Sequence, residues 1–92
     1  MIHFGIIGAG DIARKFADAV RQLDNAEVIA VASKSLDRAQ EWAVREHIPS
    51  YYGNYAELLA NPRIDAVYIA TTTNAHYDNI LQCLQAGKHV LC

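Results

Sequence analysis

Short apolar runs of strand length alternate with amphipathic stretches along the whole chain. Two of these runs, Val28–Ala32 and Ala66–Ala70, are apolar at every position, which suits strands that are covered on both faces of a parallel sheet. The pattern predicts five strands, each bounded by turn residues or by a change to helical spacing. The predicted strands are Ile2–Ile7, Val28–Ala32, a very short one with its turn at Ser50–Gly53, Ala66–Ala70, and one that begins at His89.

Between the strands the apolar residues recur at helical spacing, which predicts four helices whose apolar faces point into the core. Polar N-cap residues and a closing glycine mark their ends. The predicted helices begin at Asp11, span Leu36–Glu46 after a Ser35 cap, run from an Asn54 cap to about Ala60, and follow an Asn74 cap up to Gly87. The expected inward residues are Ile12, Phe16, Val20 and Leu23 on the first helix, Leu36, Ala39, Trp42 and Ala43 on the second, and Tyr77, Ile80, Leu81 and Leu84 on the fourth.

The regular alternation of strands and helices predicts an α/β fold. We expect an open, doubly wound parallel sheet of about five strands in the order 3-2-1-4-5, with helices on both faces and right-handed crossovers. The 92 residues are enough for one domain, 1–92, with a single core.

Composition and charge exclude several classes of protein. A chain that is 52% hydrophobic with two prolines is neither a disordered tail nor collagen-like. A net charge of -2 argues against binding to nucleic acid, and no apolar run approaches the roughly 18–20 residues that span a membrane. The first residues, MIHFGIIGAG, have no basic n-region, so we expect no secretory signal, and the two cysteines do not make a disulfide framework. We therefore expect a cytoplasmic protein with neither a nucleic-acid nor a membrane partner.

A glycine-rich segment, Gly-Ala-Gly-Asp-Ile-Ala at 8–13, follows the first strand and opens the first helix. In that context G-x-G-x-x-A is the dinucleotide-binding fingerprint. Gly8 lets the chain turn sharply, a side chain at Gly10 would stand where a pyrophosphate approaches the backbone, and Ala13 lets helix and strand pack closely. The first helical N–H groups then point at the phosphates, and the helix dipole adds to their attraction. A tight turn without a ligand is the alternative, and the flanking strand and helix favour nucleotide binding.

A hydroxyl and a cation, Ser33 and Lys34, lie at the end of the second strand, with Arg38 one helical turn later. A site that prefers NAD places an Asp or Glu about 20 residues past the glycines, where it binds the ribose hydroxyls. An acid there would repel a 2′-phosphate, whereas Ser33, Lys34 and Arg38 can bind one. The sequence therefore favours NADP as cofactor, with NAD as the alternative. Ser33 and Ser35 are also suited to capping the next helix, which does not conflict with this role.

A polar turn of Thr71, Thr72 and Thr73, followed by Asn74 and His76, comes directly after the fourth strand. Open α/β sheets bind ligands at the carboxyl ends of their strands, so these residues can line a nicotinamide–ribose site. An ordinary loop, in which Asn74 caps the helix and the threonines satisfy backbone groups, explains the same residues equally well.

No catalytic or metal site can be assigned from the sequence. Cys83, His89 and Cys92 lack the paired spacing of zinc ligands. The chain also has no recognisable nucleophile–base pair or paired-carboxylate site, so we assign no catalytic residue.

Three blocks of the sequence resemble a known family. These are FGIIGAGDIARKFADAV near the start, VIAVASKSLDRAQEWA in the middle and DAVYIATTTNAHYDNILQCLQAGKHVLC at the end, and the last is the most specific. The chain resembles the N-terminal NAD(P)-binding Rossmann portion of the glucose–fructose oxidoreductase / inositol 2-dehydrogenase / MocA (Gfo/Idh/MocA) family of sugar and cyclitol dehydrogenases. The resemblance covers essentially the whole chain.

The resemblance implies a nicotinamide dinucleotide as partner and hydride transfer between it and a sugar- or polyol-like hydroxyl. The Ser33–Lys34 pair is similar to the NADP-using branch of the family, whereas Thr72 and Thr73 replace its usual proline and polar residue. The implied cofactor contacts are Gly8, Gly10, Asp11 and Ile12 at the pyrophosphate, Ser33, Lys34 and Arg38 at the adenosine ribose, and Thr71, Thr72, Asn74 and His76 on the path to the nicotinamide.

The family's catalytic lysine lies in a Glu-Lys-Pro motif directly after a stretch like HVLC, and a larger substrate domain follows. Because the printed sequence ends at Cys92, we expect an incomplete Rossmann domain that binds a dinucleotide without turnover. The alternatives are a stand-alone nucleotide-sensing module and an inactive folding fragment. The last strand would lie at an open sheet edge, so we also expect self-association through that edge.

Overall fold

The computed structural model describes residues 1–71 and 73–92, without the side chains of residues 73 and 74. Strands and helices alternate through this part of the chain, as predicted. The elements are β1 (Ile2–Ile7), α1 (Asp11–Val20), β2 (Ala26–Ala32), α2 (Leu36–Glu46), β3 (Ser50–Tyr52), α3 (Tyr55–Leu59), β4 (Ala66–Ile69), α4 (Thr73–Gln85) and β5 (His89–Leu91).

The five strands form one sheet in the order β3-β2-β1-β4-β5, and every neighbouring pair is parallel. This confirms the predicted α/β fold and its strand order. Because β1 lies between β2 and β4, the segments that leave the carboxyl ends of these three strands meet at one edge of the sheet.

Helices cover both faces of the sheet, and neighbouring residues of β1 point to opposite faces. Ile6 packs against α1 and α2, whereas Ile7 packs against α3 and α4. The buried residues that these helices contribute are Ala13 and Ala17 from α1, Trp42 and Ala43 from α2, Leu58 and Leu59 from α3, and Cys83 from α4.

The inward faces of α1 and α2 differ from the prediction. Ile12 is 56% exposed, Leu36 is 53% exposed, and α1 ends before Leu23, which is also 53% exposed. Ala13 and Ala17 are buried instead. Small side chains let a helix lie close to the sheet, so the larger apolar residues beside them are left at the surface.

The prediction for α4 is wrong for three of its four inward residues. Tyr77, Leu81 and Leu84 are 71%, 40% and 59% exposed, whereas Asn79 and Cys83 are buried. Apolar residues occur on more than one side of this helix, so their spacing alone does not show which side faces the sheet. Among the described helices, none has the length and hydropathy that crossing a membrane requires.

The predicted caps of α2 and α3 are confirmed. The Arg38 N–H donates to Ser35 Oγ at 3.3 Å, and the Glu57 N–H donates to Asn54 Oδ1 at 2.9 Å. The Asn54 side-chain amide also donates to Glu57 Oε1 at 2.7 Å, so Glu57 reaches back to the side chain of the N-cap residue rather than to its backbone N–H as in a standard capping box. These caps fix the points at which α2 and α3 leave the loops around the candidate site.

Candidate functional site

Gly8 lies where β1, β2 and β4 end, and the fold itself requires a glycine there. Its N–H donates to the Ala32 carbonyl at 2.8 Å, and its φ is +107°, which L residues rarely adopt. A Cβ at Gly8 would lie 2.8 Å from the backbone oxygen of Ala70 and 3.2 Å from the nitrogen of Thr71. The sharp turn predicted at Gly8 is therefore confirmed, and it places the β1–α1 loop against the start of the β4–α4 loop.

Gly10 is the N-cap of α1, and the described residues impose no comparable requirement on it. Its φ of -153° is extended backbone that any residue adopts. An added Cβ would have the Arg38 guanidinium, at 3.7 Å, as its nearest neighbour. Gly10 also supplies no side-chain cap, and none of the N–H groups of Gly10, Asp11 and Ile12 donates to another described group. The described fold would therefore accept a Cβ at Gly10 in ordinary contact with Arg38, beside N–H donors that have no described partner.

Two side chains of α2 hold the carbonyl groups of the glycine loop. Arg38 Nε donates to the Ala9 oxygen at 3.0 Å, and Trp42 Nε1 donates to the Gly10 oxygen at 3.1 Å. Trp42 is 2% exposed, so it fills the core as predicted. The sequence does not predict its hydrogen bond to the loop, although the spacing of Arg38 and Trp42 by one helical turn places both side chains on the same face of α2.

The β2–α2 turn presents Lys34 to solvent and holds Ser33 in place. Ser33 is buried, and its Oγ accepts the Ser35 N–H at 3.3 Å. Ser35 in turn caps α2, so both serines shape the turn as the sequence suggested. The exposed Lys34 side chain and the exposed Arg38 guanidinium are left as cations beside the glycine loop.

The β4–α4 turn is held by its own side chains. The Thr71 hydroxyl donates to Asn79 Oδ1 at 2.6 Å, and His76 Nε2 lies 2.7 Å from the Thr71 carbonyl oxygen. That oxygen can only accept, so Nε2 carries the proton. The predicted contact Thr72 and the side chain of Asn74 lie outside the described residues, and α4 begins at Thr73, before the predicted Asn74 cap.

A cavity of about 300 Å³ lies among the three loops. Tyr55, at the start of α3, also lines the cavity, and burial raises the pKa of its hydroxyl. The sequence does not point to Tyr55, because only the folded chain brings α3 to this edge of the sheet. Six predicted contacts line the cavity: Gly8, Gly10, Ser33, Lys34, Arg38 and Thr71.

Three further predicted contacts that the structure describes, Asp11, Ile12 and His76, do not line this cavity. Asp11 lines a second hollow, of about 430 Å³, which shares Ala9, Gly10 and Arg38 with the first. Ile12 is exposed on the first turn of α1, and His76 is half-buried behind Thr71. No group of three His, Cys, Asp or Glu residues that could hold a metal ion occurs among the residues the structure describes.

The cavity, its glycine-rich wall and its cations fit one end of a dinucleotide, and a family comparison agrees with this geometry. The model of the Gfo/Idh/MocA oxidoreductase family, described as having an NAD-binding Rossmann fold, matches residues 2–92. The chain belongs to this family. As the Rossmann part of a Gfo/Idh/MocA protein, it is an NAD(P)-binding domain of an oxidoreductase family, as the sequence predicted.

Individual relatives of this Gfo/Idh/MocA chain are dehydrogenases and reductases. Mouse trans-1,2-dihydrobenzene-1,2-diol dehydrogenase is 43% identical over 93 residues, and the match covers 99% of this chain and 28% of the mouse protein. An uncharacterised oxidoreductase of Rhizobium meliloti is also 43% identical, over 100% of this chain and 28% of that protein. The chain thus spans a little over a quarter of the length of these relatives.

Two solved structures show the same fold with different cofactors. A variant of a 3-ketoreductase from Actinomadura kijaniata, in complex with NADP and TDP-benzene, has a TM-score of 0.88 and 37% identity over 98% of this chain and 28% of the enzyme. Myo-inositol dehydrogenase from Lactobacillus casei, in complex with NAD(H) and myo-inositol, has a TM-score of 0.89 and 29% identity over 98% of this chain and 27% of that enzyme. The Gfo/Idh/MocA fold therefore accommodates either cofactor.

Proposed function

We propose that this chain binds NADP in preference to NAD, with the diphosphate in front of Gly10 and the 2′-phosphate beside Ser33, Lys34 and Arg38. The observation that carries the proposal is the contrast between the two glycines. The backbone of Gly8 requires a glycine, whereas Gly10 has ordinary extended geometry and room for a Cβ in ordinary contact with Arg38. A glycine that the fold does not need is explained by a ligand that comes close to the backbone.

The preference for NADP is supported by the charges around the β2–α2 turn. Ser33 and Lys34 follow β2, and neither is a carboxylate that would repel a 2′-phosphate; the next acid along the chain, Asp37, lies on the first turn of α2 and does not line the cavity. Lys34 and Arg38 both line the cavity, and Arg38 has its Nη nitrogens left after Nε binds the Ala9 oxygen. A phosphate between an ammonium and a guanidinium makes strong charge-assisted hydrogen bonds.

Removing the Lys34 charge is expected to weaken NADPH binding about tenfold, because a hydrogen bond to a charged group contributes roughly 1.5–3 kcal/mol. NADH binding should change by less than about twofold, because NADH has no 2′-phosphate for Lys34 to contact. The affinities of both cofactors for the wild type and for Lys34→Ala can be measured by isothermal titration calorimetry. Trp42, the only tryptophan in the sequence, offers a second signal in the wild type.

Lys15→Ala is the matched control, since Lys15 is an exposed lysine on α1 and its replacement removes the same charge elsewhere. It should leave both affinities unchanged. Equal or tighter binding of NADH by the wild type would show that the proposed preference is wrong.

We further propose that the protein carrying this chain transfers a hydride between the nicotinamide and a sugar- or polyol-like hydroxyl carbon. The proposal is supported by the family and by relatives that include a diol dehydrogenase and a myo-inositol dehydrogenase. The bound nicotinamide would supply the hydride chemistry. The described residues of this chain hold and orient the dinucleotide, and we assign none of them as acid, base or nucleophile.

A cytoplasmic location is a further proposal, supported by two cysteines that are not paired in a disulfide.

We also propose that the chain self-associates through β5. This strand pairs with β4 on one side, no described strand covers its other side, and Leu91 at its end is 45% exposed. An unpaired edge of this kind is a template for a second copy. Sedimentation equilibrium should show a dimer that Leu91→Lys weakens at least about tenfold, because a charged side chain at an edge opposes pairing. Leu84→Lys, on the exposed side of α4, should have no effect, and the reverse pattern would place the contact on the helix instead.

A further inference from the structure

Trp42 is a buried side chain whose ring packs in the core and whose polar atom binds the glycine loop. Its ring packs in the cluster with Ile6, Val31 and Ala43, and it is 2% exposed. Its Nε1 donates to the Gly10 carbonyl at 3.1 Å. The same oxygen accepts the Arg14 N–H at 3.0 Å as the first bond of α1. The Gly10 carbonyl would thus be satisfied by the helix alone, and the indole adds a second donor to it.

The preceding carbonyl is held in the same way. Arg38 Nε donates to the Ala9 oxygen at 3.0 Å. Arg38 and Trp42 are one turn apart on α2, so they project from the same face of that helix. One helix therefore fixes two consecutive peptide planes of the glycine loop, Ala9–Gly10 and Gly10–Asp11.

Fixing the two carbonyls also fixes the direction of two N–H groups. The peptide bonds of the described chain contain no cis isomer, and in a trans peptide the C=O and N–H point in opposite directions. The N–H groups of Gly10 and Asp11 are therefore aimed away from their donors on α2, and neither donates to another described group. These are the N–H groups that the proposed function places against the diphosphate.

We propose that Trp42 is a positioning residue for dinucleotide binding: its indole N–H holds the Gly10–Asp11 peptide plane so that the Asp11 N–H is presented to the diphosphate. The inference rests on the proposed function and adds to it a residue that does not touch the ligand. The ring of Trp42 fills the core, whereas its one polar atom, Nε1, reaches the glycine loop. Holding the loop in place favours binding because preorganised donors bind an anion without having to reorient.

Two variants remove this N–H. Trp42→Phe keeps an aromatic ring but is smaller than the indole. Trp42→benzothienylalanine keeps the shape of the indole and has sulfur in place of the N–H, so it removes the donor without leaving a void in the core. Affinities are measured by calorimetry for NADPH and ADP, which contain a diphosphate, and by NMR titration for 2′-AMP, which has only the phosphate expected beside Lys34. We expect both variants to bind NADPH and ADP about tenfold more weakly, with the affinity for 2′-AMP unchanged within about twofold.

Ile48→Val is the control for a general loss of stability. Ile48 is buried in the same cluster as Trp42, but its hydrocarbon side chain cannot donate a hydrogen bond to the glycine loop. The substitution should lower the melting temperature without changing any affinity. Unchanged NADPH and ADP affinities in the isosteric variant overturn the inference. Equal losses for all three ligands do so too, because they indicate a structural role only. If the wild type binds none of the ligands, the proposed function itself is wrong. If the wild type binds them and the isosteric variant binds them equally well, only the role of Trp42 is wrong.

Discussion

Gly10→Asp is expected to abolish dinucleotide binding while the fold remains at least as stable as the wild type. Gly10 is the N-cap of α1 in extended conformation, and aspartate is among the best residues at such a position. Its carboxylate also interacts favourably with the positive end of the helix dipole. We therefore expect the free energy of unfolding to stay the same or to rise by about 0.5 kcal/mol.

The same carboxylate would occupy the place of the diphosphate and satisfy its N–H donors. It also brings a like charge against a dianionic group, so we expect the affinity for NADPH to fall by about 100-fold or more, which corresponds to roughly 2.7 kcal/mol. Calorimetry gives the affinity and thermal denaturation gives the stability of the same samples. The opposite directions of the two effects distinguish a blocked site from a damaged fold.

Gly87→Asp adds the same charge on the turn between α4 and β5, at a glycine where an added Cβ would meet nothing within 4 Å. This variant should bind NADPH as the wild type does. Retention of full affinity by Gly10→Asp would mean that the diphosphate does not lie in front of α1.

Gly8→Ala is expected to have the other large effect, and that effect is on stability. The substitution combines a φ of +107° with a Cβ only 2.8 Å from the Ala70 backbone oxygen. Backbone strain and overpacking each cost about 1–3 kcal/mol, so we expect a loss of about 4 kcal/mol in the free energy of unfolding. For a domain of this size that lowers the melting temperature by about 20 °C. Urea denaturation followed by the fluorescence of Trp42 measures the loss.

Gly87→Ala separates the two contributions, because Gly87 also has a positive φ, of +77°, but no neighbour for an added Cβ to meet. It should cost only about 1 kcal/mol. If Gly8→Ala lowers the free energy of unfolding no more than Gly87→Ala does, the β4–α4 loop moves aside to accept the added methyl group, and the predicted overpacking is wrong.

The sheet could be predicted from the sequence because its strands differ so clearly from its helices. Val28–Ala32 and Ala66–Ala70 are apolar throughout, and such runs are typical of parallel strands that are covered on both faces. The glycine motif then fixes the first crossover and, with it, the edge of the sheet that binds ligands. These local signals do not depend on knowing the packing in advance.

The helix faces could not be predicted in the same way, because a helix with apolar residues on several sides has more than one possible inward face. On α4 the sheet covers Asn79, whose amide oxygen accepts the Thr71 hydroxyl, and leaves Tyr77 in solvent. The free energy of burying a polar side chain depends on whether it finds a hydrogen-bond partner, and here that partner comes from another element. The hydrogen bond of Trp42 to Gly10 was missed for the same reason, since the sequence shows a large apolar side chain and not the atom that its N–H meets.

Arg38 stands between two hollows of the surface, and its Nε is already committed to the Ala9 oxygen. A guanidinium can support the loop with one nitrogen and still turn its other two, in a fixed plane, towards an anion. A lysine ammonium has three N–H donors, but all of them lie on one nitrogen, so the carbonyl and the anion would have to crowd around a single atom. The two tasks of one guanidinium therefore make arginine hard to replace here, even by lysine.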